Sequence, residues 1–221
     1  MSFIVAIDGP AGTGKGTVTK IIAKDLNLIS IDTGAMYRCV ALYSLRNNID
    51  LENNSEIHKI FENIIIELKP DKTVYLNNED VSTIIRTPEI DLQVKKVATI
   101  QPIRLKMVEL MRNIAKNKNI IMEGRDIGTA VFPNANVKIY LDAEPEERAR
   151  RRYKENCEKN IECSYDKILE DMIARDKSDL TKGGLKKAED AIIVDTTNLS
   201  IEEVVNKIEK IIEENRNGKD F

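Results

Sequence analysis

Short apolar runs alternate along this chain with longer segments in which apolar residues recur every three or four positions. A continuous apolar run is typical of a strand that is buried on both faces of a sheet. Strands that alternate with helices in this way favour a parallel sheet. The pattern therefore predicts an α/β fold, with strands at 3–7, 28–31, 120–122, 137–141 and 192–194.

Two of the helices are marked by one-sided apolar stripes. The first follows the first strand and carries Val18, Ile22 and Leu26 on one face, and the second occupies 201–212. Ser200 and Glu203 have the spacing of a capping box, in which each side chain bonds the other residue's backbone N–H. We expect the second helix to cover the sheet.

The pattern changes between about residues 60 and 100. Strand-like segments at 64–68 and 73–76 are joined by a Lys-Pro-Asp turn, and a second turn follows at Asn77-Asn78. One helix is predicted after Pro88, and its apolar residues include Val94, Val97 and Ile100. These features predict a subdomain inserted into a single domain that spans 1–221.

The composition excludes several classes of protein. The 221 residues are 42% hydrophobic and carry a net charge of −3, which is too apolar and too near neutral for a disordered chain. The slightly acidic balance argues against a protein built to coat nucleic acid. The longest wholly apolar run, at 3–7, is far shorter than the roughly 18 residues that a membrane-spanning helix needs. No secretory signal is visible at the N-terminus.

Cysteine and histidine are scarce. The three cysteines form no CxxC pair, which favours a reducing compartment and predicts a cytoplasmic protein. His58 is the only histidine, and no motif of a Ser–His or Cys–His nucleophile surrounds it. We expect His58 to be a surface residue.

The stretch between the first strand and the first helix has the composition of a phosphate-binding loop. Its glycines let backbone N–H groups turn toward phosphates, and the helix N-terminus adds free donors and a positive dipole. Lys15 has the length and charge to reach the β- and γ-phosphates of a nucleotide. The predicted nucleotide-binding residues are Gly9, Pro10, Ala11, Gly12, Thr13, Gly14, Lys15, Gly16 and Thr17.

One position departs from the strict pattern of such loops. Gly16 follows Lys15, where a Ser or Thr that faces Mg²⁺ is usual, so Thr17 becomes the candidate for that hydroxyl. Asp8 follows the first strand. It is interpreted either as a residue that supports the Mg²⁺ site without binding the ion directly, or as a cap of its own turn. Glu123 follows another strand, as acidic residues near nucleotide phosphates do.

Two further motifs narrow the function. Residues 32–38 read Asp-Thr-Gly-Ala-Met-Tyr-Arg, and residues 123–129 read Glu-Gly-Arg-Asp-Ile-Gly-Thr. Both follow strands, and ligands bind at the carboxyl ends of strands in open α/β sheets. With the first loop, these motifs resemble those of bacterial-type cytidylate kinases, in the nucleoside monophosphate kinase superfamily. The resemblance covers roughly residues 3–210.

The resemblance implies a P-loop NTPase fold, with a parallel five-stranded sheet flanked by helices. It also implies an inserted α+β monophosphate-binding subdomain at about 60–100 and a lid at about 144–184. The implied activity is phosphoryl transfer from ATP to CMP and dCMP, with Mg²⁺ as cofactor. The partners would then be these small nucleotides, without nucleic acid or membrane, and a monomer is expected.

The resemblance also implies which residues contact the acceptor nucleotide. Thr33 and Arg38 would bind it, Arg38 at its phosphate, and Arg104 would contact its base. Asp126 would accept a hydrogen bond from the cytosine amino group. The chemistry agrees, because cytosine presents a donor at N4 and a guanidinium fork matches phosphate oxygens.

The resemblance places three cations, Lys15, Arg125 and Arg175, on the phosphates as the catalytic residues. Asp179 would hold the sugar, and Lys182 stands where the family usually has an arginine that binds substrate. The accepting group is itself a phosphate, whose second pKa is about 6. It is already a nucleophile at neutral pH, so no general base is needed, in agreement with the scarcity of histidine.

A basic cluster at 148–154 leaves three interpretations open. It is a lid whose Arg148 and Arg152 close on the phosphates of ATP, a patch that binds RNA, or a solvated helix paired with nearby acids. Those acids are Glu144, Glu146 and Glu147.

Other functions also stay open from the sequence. A different small-molecule kinase could use the same loop, and a nucleotide-gated switch such as a GTPase is a second alternative. The absence of an Asn-Lys-x-Asp guanine motif argues against the switch. Lys95 stands where the family commonly has a serine at the base, which makes UMP an alternative acceptor.

Overall fold

The structure is a computed structural model and describes residues 2–69, 71, 73–181 and 184–217. The strands are β1 Ile4–Asp8, β2 Ile29–Asp32, β3 Ile66–Leu68, β4 Val74–Leu76, β5 Glu79–Asp80, β6 Ile120–Gly124, β7 Val137–Asp142 and β8 Ile192–Asp195. The α-helices are α1 Lys15–Asp25, α2 Thr33–Arg46, α3 Asn54–Asn63, α4 Pro88–Val97, α5 Gln101–Ala115, α6 Pro145–Glu158, α7 Tyr165–Thr181 and α8 Ile201–Asn217. None of the helices in these ranges is long and apolar enough to span a membrane.

The main sheet has five strands, in the order β2-β6-β1-β7-β8. β1 lies parallel to both β6 and β7, with Val5 opposite Ile121 and Val137, and β8 lies parallel to β7. The prediction of a parallel five-stranded sheet flanked by helices is confirmed. Each strand ends one or two residues later than the apolar run predicts, because the polar residue that follows still pairs in the sheet.

The core of the sheet forms where apolar strands meet apolar helix faces. Val5 and Ile7 of β1 and Ile22 of α1 are completely buried. Burying one such side chain stabilises the fold by about 1.5–3 kcal/mol. From α8, the core receives Val204, Val205, Ile208 and Ile212.

The predicted capping box begins α8. The Ser200 N–H donates to Glu203 Oε2 over 2.8 Å, and the Glu203 N–H donates to Ser200 Oγ over 3.2 Å. These two bonds satisfy N–H groups that the first turn of a helix leaves without intrahelical partners. The start of α8 was therefore predictable from two residues.

The chain divides into two compact units, Met1–Ser30 with Asn117–Phe221, and Ile31–Lys116. The second unit contains the predicted insert, with β3, β4 and β5 in an antiparallel sheet. The predicted turn at Asn77-Asn78 connects β4 to β5, with φ of 50° and 68°. Asparagine tolerates this left-handed backbone better than most residues do.

The single helix predicted after Pro88 is two helices. α4 ends at Val97, and α5 begins at Gln101 with Pro102 in its first turn. Proline has no N–H to donate to the preceding turn, but it is well tolerated at the start of a helix. Ile100 consequently lies between the two helices instead of within one.

Candidate active site

The loop between β1 and α1 follows a path that only glycine allows at its key positions. At Gly9, where φ is 147°, a Cβ would lie 2.0 Å from the backbone oxygen of Leu141. At Gly14, which precedes α1, φ is 88°. This backbone places the loop at the N-terminus of α1, the position from which N–H groups and the helix dipole favour phosphate.

Lys15 is the first residue of α1 and lies folded against the loop. It is 6% exposed, and its Nζ donates to Pro10 O over 2.6 Å and to Thr13 Oγ1 over 3.3 Å. Burial, and then the charge of Arg125, lower the pKa of Lys15 well below its usual range. The charges of Glu123 and Asp8 act in the opposite direction, and a nucleotide phosphate would add a further anion beside this ammonium group.

An open cleft of about 370 Å³ lies over this loop. Its lining combines cationic side chains with glycine backbone and one acidic residue, which suits a polyanion that carries a metal ion. The lining residues are Ala11, Gly12, Gly14, Lys15, Gly16, Thr17, Lys20, Glu123 and Arg125.

The glycine at position 16 makes room for an acidic side chain. A Cβ at Gly16 would lie 2.9 Å from Glu123 Oε1, so the carboxylate occupies the space that a Ser or Thr side chain would need. The exposed Thr17 follows on the same turn of α1. Among the described residues, no cluster of three His, Cys, Asp or Glu side chains is arranged to hold a metal. A carboxylate and a hydroxyl fit Mg²⁺, which keeps several waters and takes phosphate oxygens as ligands.

Three of the predicted site residues lie together beside the loop. Asp179 Oδ2 accepts from Arg125 Nε over 3.3 Å and lies 3.9 Å from Arg175 Nε. Arg125 Nη1 also donates to Gly9 O over 3.1 Å. The carboxylate of Asp179 thus lies between two guanidinium groups, at the carboxyl end of β6 and next to the phosphate-binding loop.

Asp8 binds the turn that follows β6. Its two carboxylate oxygens accept from the backbone N–H groups of Ile127 and Gly128, each over 2.8 Å. Burial raises the pKa of Asp8 from 3.8 to about 6, although these two hydrogen bonds act in the opposite direction. The sequence-based interpretation of Asp8 as a cap of its own turn does not match these contacts, which join residues 119 and 120 positions apart.

The arginines of α6 have different surroundings. Arg148 is 3% exposed, and it donates to Ala143 O over 2.9 Å, to Ala11 O over 3.1 Å and to Asp176 Oδ2 over 2.5 Å. Arg152 is exposed and pairs with Glu155 over 3.0 Å. In this conformation Arg148 contacts the loop through a backbone carbonyl, while Arg152 lies on the surface.

Arg150 and Arg151, which lie between Arg148 and Arg152 in the sequence, both pair with Glu147. Arg151 also donates to Thr196 O over 2.5 Å and to Thr196 Oγ1 over 3.1 Å. Thr196 Oγ1 donates to Asp142 O over 3.0 Å and lies 3.5 Å from Thr13 O in the phosphate-binding loop. These partners match the interpretation as a helix paired with acids more closely than that of an open basic patch for RNA.

The second unit holds the other predicted acceptor residues. Arg38 on α2 donates to Ile85 O over 2.9 Å and forms an ion pair with Asp91 of α4. Thr33, at the start of α2, is buried. Arg104 on α5 donates to Ala98 O over 3.3 Å. Lys95 is exposed on the last turn of α4, and Lys182 lies outside the described residues.

Sequence reasoning missed Asp91 and Asp176, the carboxylate partners of Arg38 and Arg148. Asp176 lies inside the same stretch as Arg175 and Asp179, but a helix turns about 100° per residue, so it faces elsewhere. The only local signal was an acidic residue beside a basic one, which is common on any exposed helix. Both pairings depend on tertiary contacts.

The sequence of this chain matches a known protein family over nearly its whole length. The family model described as cytidylate kinase matches residues 5–214. A cytidylate kinase of Fusobacterium nucleatum is 54% identical over 214 residues, with 96% of this chain and 98% of the relative covered. One of Thermosipho melanesiensis is 47% identical, with 95% and 96% covered. One of Clostridioides difficile is 46% identical, with 94% and 96% covered.

Solved structures with low sequence identity share the fold. An uncharacterized protein from Eubacterium ventriosum has a TM-score of 0.54 at 12% identity, with 97% of this chain and 99% of that chain covered. A gluconokinase from Sinorhizobium meliloti has a TM-score of 0.51 at 13% identity, with 100% and 98% covered. At such identity the likeness concerns the fold alone.

Proposed function

This chain belongs to the cytidylate kinase family, and on that premise we propose that it transfers the γ-phosphoryl group of ATP to CMP and dCMP. The products are ADP with CDP or dCDP. The family match over residues 5–214 is the observation that carries this assignment. The cationic cleft over the β1–α1 loop supports it, because phosphoryl transfer depends on positioning and on neutralising charge.

On the donor side, the loop backbone would bind the β- and γ-phosphates of ATP. Lys15 would exchange Pro10 O for phosphate oxygens, which removes the electrostatic cost of its burial. Glu123 and Thr17 would hold Mg²⁺, which supplies additional positive charge at the phosphates. Arg152 can leave its surface pair with Glu155 to join the phosphates, because an exposed ion pair contributes only about 0–1 kcal/mol.

On the acceptor side, the phosphate oxygen of CMP attacks the γ-phosphorus while the bond to the β-phosphate oxygen breaks. Arg125 and Arg175 would bind the phosphates in place of part of their contact with Asp179. The carboxylate of Asp179 would then be available to the sugar. Asp126 would accept the hydrogen bond of the cytosine amino group. No side chain needs to remove a proton from an acceptor phosphate that is already ionised.

Residues of the second unit complete the assignment. Arg38 would exchange Asp91 for the acceptor phosphate, and Thr33 and Arg104 would contact the acceptor nucleotide. The lid assigned to about 144–184 contains α6 and α7, and its closure would exclude water that otherwise hydrolyses ATP. Arg148 would exchange the carbonyl of Ala11 for the phosphates of ATP when the lid closes.

A panel of acceptors tests the assignment. ADP release is measured with ATP and Mg²⁺ in the presence of CMP, dCMP, UMP, AMP or shikimate. We expect CMP and dCMP to accelerate ADP release most, and UMP is included because of Lys95. A rate with CMP and dCMP no higher than the rate without acceptor would overturn the proposed function.

A further inference from the structure

We propose that Asp8 is a positioning residue for the acceptor site, which holds the Arg125–Asp126 segment in place and thereby sets the preference for cytosine over uracil. This role rests on the proposed function, in which Asp126 accepts from the cytosine N4 amino group. Asp8 itself touches neither nucleotide in this assignment. It acts through the backbone of the turn after β6, which carries Arg125 and Asp126.

Asp8 contacts the two residues that directly follow Asp126 in the sequence. The Ile127 N–H donates to Oδ1 and the Gly128 N–H donates to Oδ2, so one carboxylate binds two successive backbone donors of the next two residues. Both distances are 2.8 Å, within the range for charge-assisted hydrogen bonds. The ionised carboxylate, whose single charge is shared by both oxygens, is the only form of this side chain that accepts both bonds without donating one.

The rest of the turn fixes Asp126 from the other side. The carbonyl of Asp126 accepts from the Ala130 N–H over 2.7 Å and from the Thr129 N–H over 3.3 Å. The Phe132 N–H donates to Ile127 O over 2.7 Å, in the wide turn of a short π-helix at Ile127–Val131. Asp126 is therefore held between these bonds and Asp8, and movement of Asp8 would move its backbone.

Close packing leaves this turn little room to adjust. A Cβ at Gly128 would lie 3.2 Å from Lys138 Cδ and 3.4 Å from Asp8 Oδ2. Asp8 is 4% exposed, so water cannot replace a lost contact easily. Replacing or protonating the Asp8 carboxylate would therefore shift the backbone of this turn.

The charges around Asp8 come from several elements. The Ile127 and Gly128 N–H groups and Lys15 favour its ionised form, while burial and the charge of Asp126 oppose it. On β7, the charge of Asp8 contributes to the raised pKa of Tyr140, and the Nζ of Lys138 pairs with Asp190. With its pKa at about 6, Asp8 takes up a proton in a mildly acidic buffer and then donates where it previously accepted.

The Asp8→Asn variant tests this role, because asparagine keeps the shape but presents one donor where two N–H groups need acceptors. The measured quantities are kcat/KM for CMP and for UMP and the KM for ATP, between pH 5.5 and 8. The ratio of the CMP and UMP values cancels the ionisation of the acceptor phosphate, which both substrates share. The control is Asp190→Asn, which removes an exposed carboxylate that pairs with Lys138.

We expect Asp8→Asn to lower the CMP-to-UMP ratio by about tenfold or more, the size of one good contact to a base edge, while the KM for ATP changes little. The thermal midpoint at pH 7.5 is measured alongside, because asparagine removes a buried charge but leaves one buried N–H group without its acceptor. In the wild type, the ratio of kcat/KM for CMP to that for UMP should fall as the pH is lowered toward 5.5. In Asp8→Asn this ratio should not change with pH. Asp190→Asn should behave like the wild type.

Three results would overturn this role. The first is an unchanged ratio in Asp8→Asn, and the second is a rise confined to the KM for ATP, which would assign Asp8 to the metal or the donor. The third, a ratio in the wild type that does not vary with pH, needs no variant and applies even if Asp8→Asn fails to fold. A wild type that accepts neither CMP nor dCMP would instead overturn the proposed function and this role with it.

Discussion

Two residues of the site, Lys15 and Asp8, carry charges although their side chains are buried. Lys15 is almost fully buried, and its ammonium donates to a carbonyl and a hydroxyl, with the charges of Glu123 and Asp8 nearby. Asp8 is ionised at neutral pH in a place where burial opposes ionisation. Such groups are typical of functional sites, because stability alone would favour neutral side chains there.

Replacing Lys15 by methionine should abolish turnover without loss of stability. We expect kcat to fall by at least about 10²–10³-fold, as for other removed donors at developing charge, because nothing else on the loop carries a full positive charge. The thermal midpoint should remain at or above that of the wild type, since a buried ammonium is lost. Steady-state kinetics and thermal unfolding check both parts, with Lys24→Met, on the exposed side of α1, as the control. Near-normal turnover in Lys15→Met would remove Lys15 from the mechanism.

Asp8 should make the stability of the wild type depend on pH in a definite window. Its pKa is 3.8 when unfolded and about 6 when folded, so the folded state binds the proton more tightly between these values. Stability relative to Asp8→Asn therefore falls as the pH rises from about 4 to 6, by roughly 3 kcal/mol for a shift of about two units. Urea unfolding of both proteins at several pH values measures the difference. A difference that stays constant across the window would contradict this expectation.

Asp126 should discriminate between bases more directly. In Asp126→Ala the acceptor for the cytosine N4 amino group is lost, whereas UMP presents no such donor. We expect kcat/KM to fall for CMP about tenfold more than for UMP. Comparing the two acceptors in wild type and variant tests this, and an equal loss for both would show that Asp126 does not recognise the base.

Sequence reasoning succeeded for residues whose role is local and failed for residues whose partners are distant. The glycines of the β1–α1 loop and the Ser200–Glu203 box follow from nearest neighbours in the chain. The partners of Asp8 are about 120 positions away and are backbone N–H groups, which any residue provides. No sequence pattern therefore identifies them.

At the scale of elements, α6 and α7 meet the phosphate-binding loop through one buried ion pair. Arg148 on α6 bonds both Ala11 O and Asp176 of α7, and a Cβ at Gly12 would lie 3.2 Å from Met172 Cε of α7. Asp176 Oδ1 is buried without a hydrogen-bond partner, so this carboxylate relies on Arg148 alone among the described residues. Arg148 consequently joins both helices to the loop.

Breaking this pair from one side should be costly. Asp176→Leu leaves the guanidinium of Arg148 buried without its counter-charge, and we expect a loss of about 3 kcal/mol in the free energy of unfolding. Combining Arg148→Met with Asp176→Leu should recover much of it, because both charges are then gone. Arg152→Met, which removes an exposed pair, should change stability by less than about 0.5 kcal/mol. Urea titrations compare the four proteins, and an Asp176→Leu variant as stable as the wild type would contradict the expected cost of the unpaired guanidinium.

The elements themselves were largely predictable. All five strands of the main sheet follow from their apolar runs, although the edge strands β2 and β8 are only partly buried, with Ile29 48% and Ile193 52% exposed. The split between α4 and α5 was missed since apolar periodicity continues across it, although Pro102 marks the break. Strand ends were placed too early because polar residues such as Asp8 still belong to the sheet.

At the scale of the molecule, a net charge of −3 coexists with a site for highly charged anions. The arginines assigned to phosphates already have carboxylate partners: Asp91 for Arg38, and Asp179 for Arg125 and Arg175. These carboxylates balance the charge of the protein without nucleotide and compete with phosphates for the arginines. Overall charge therefore excludes a globally basic protein but does not exclude a polyanion substrate.

In the proposed reaction, the phosphoryl group that leaves ATP arrives on CMP. Chromatographic quantification of all nucleotides in a reaction of the protein with ATP, Mg²⁺ and CMP tests it most directly. We predict that one CDP appears for each ADP formed, and that Lys15→Met forms almost none of either. Formation of ADP without CDP would contradict the account, because the phosphoryl group would then pass to water.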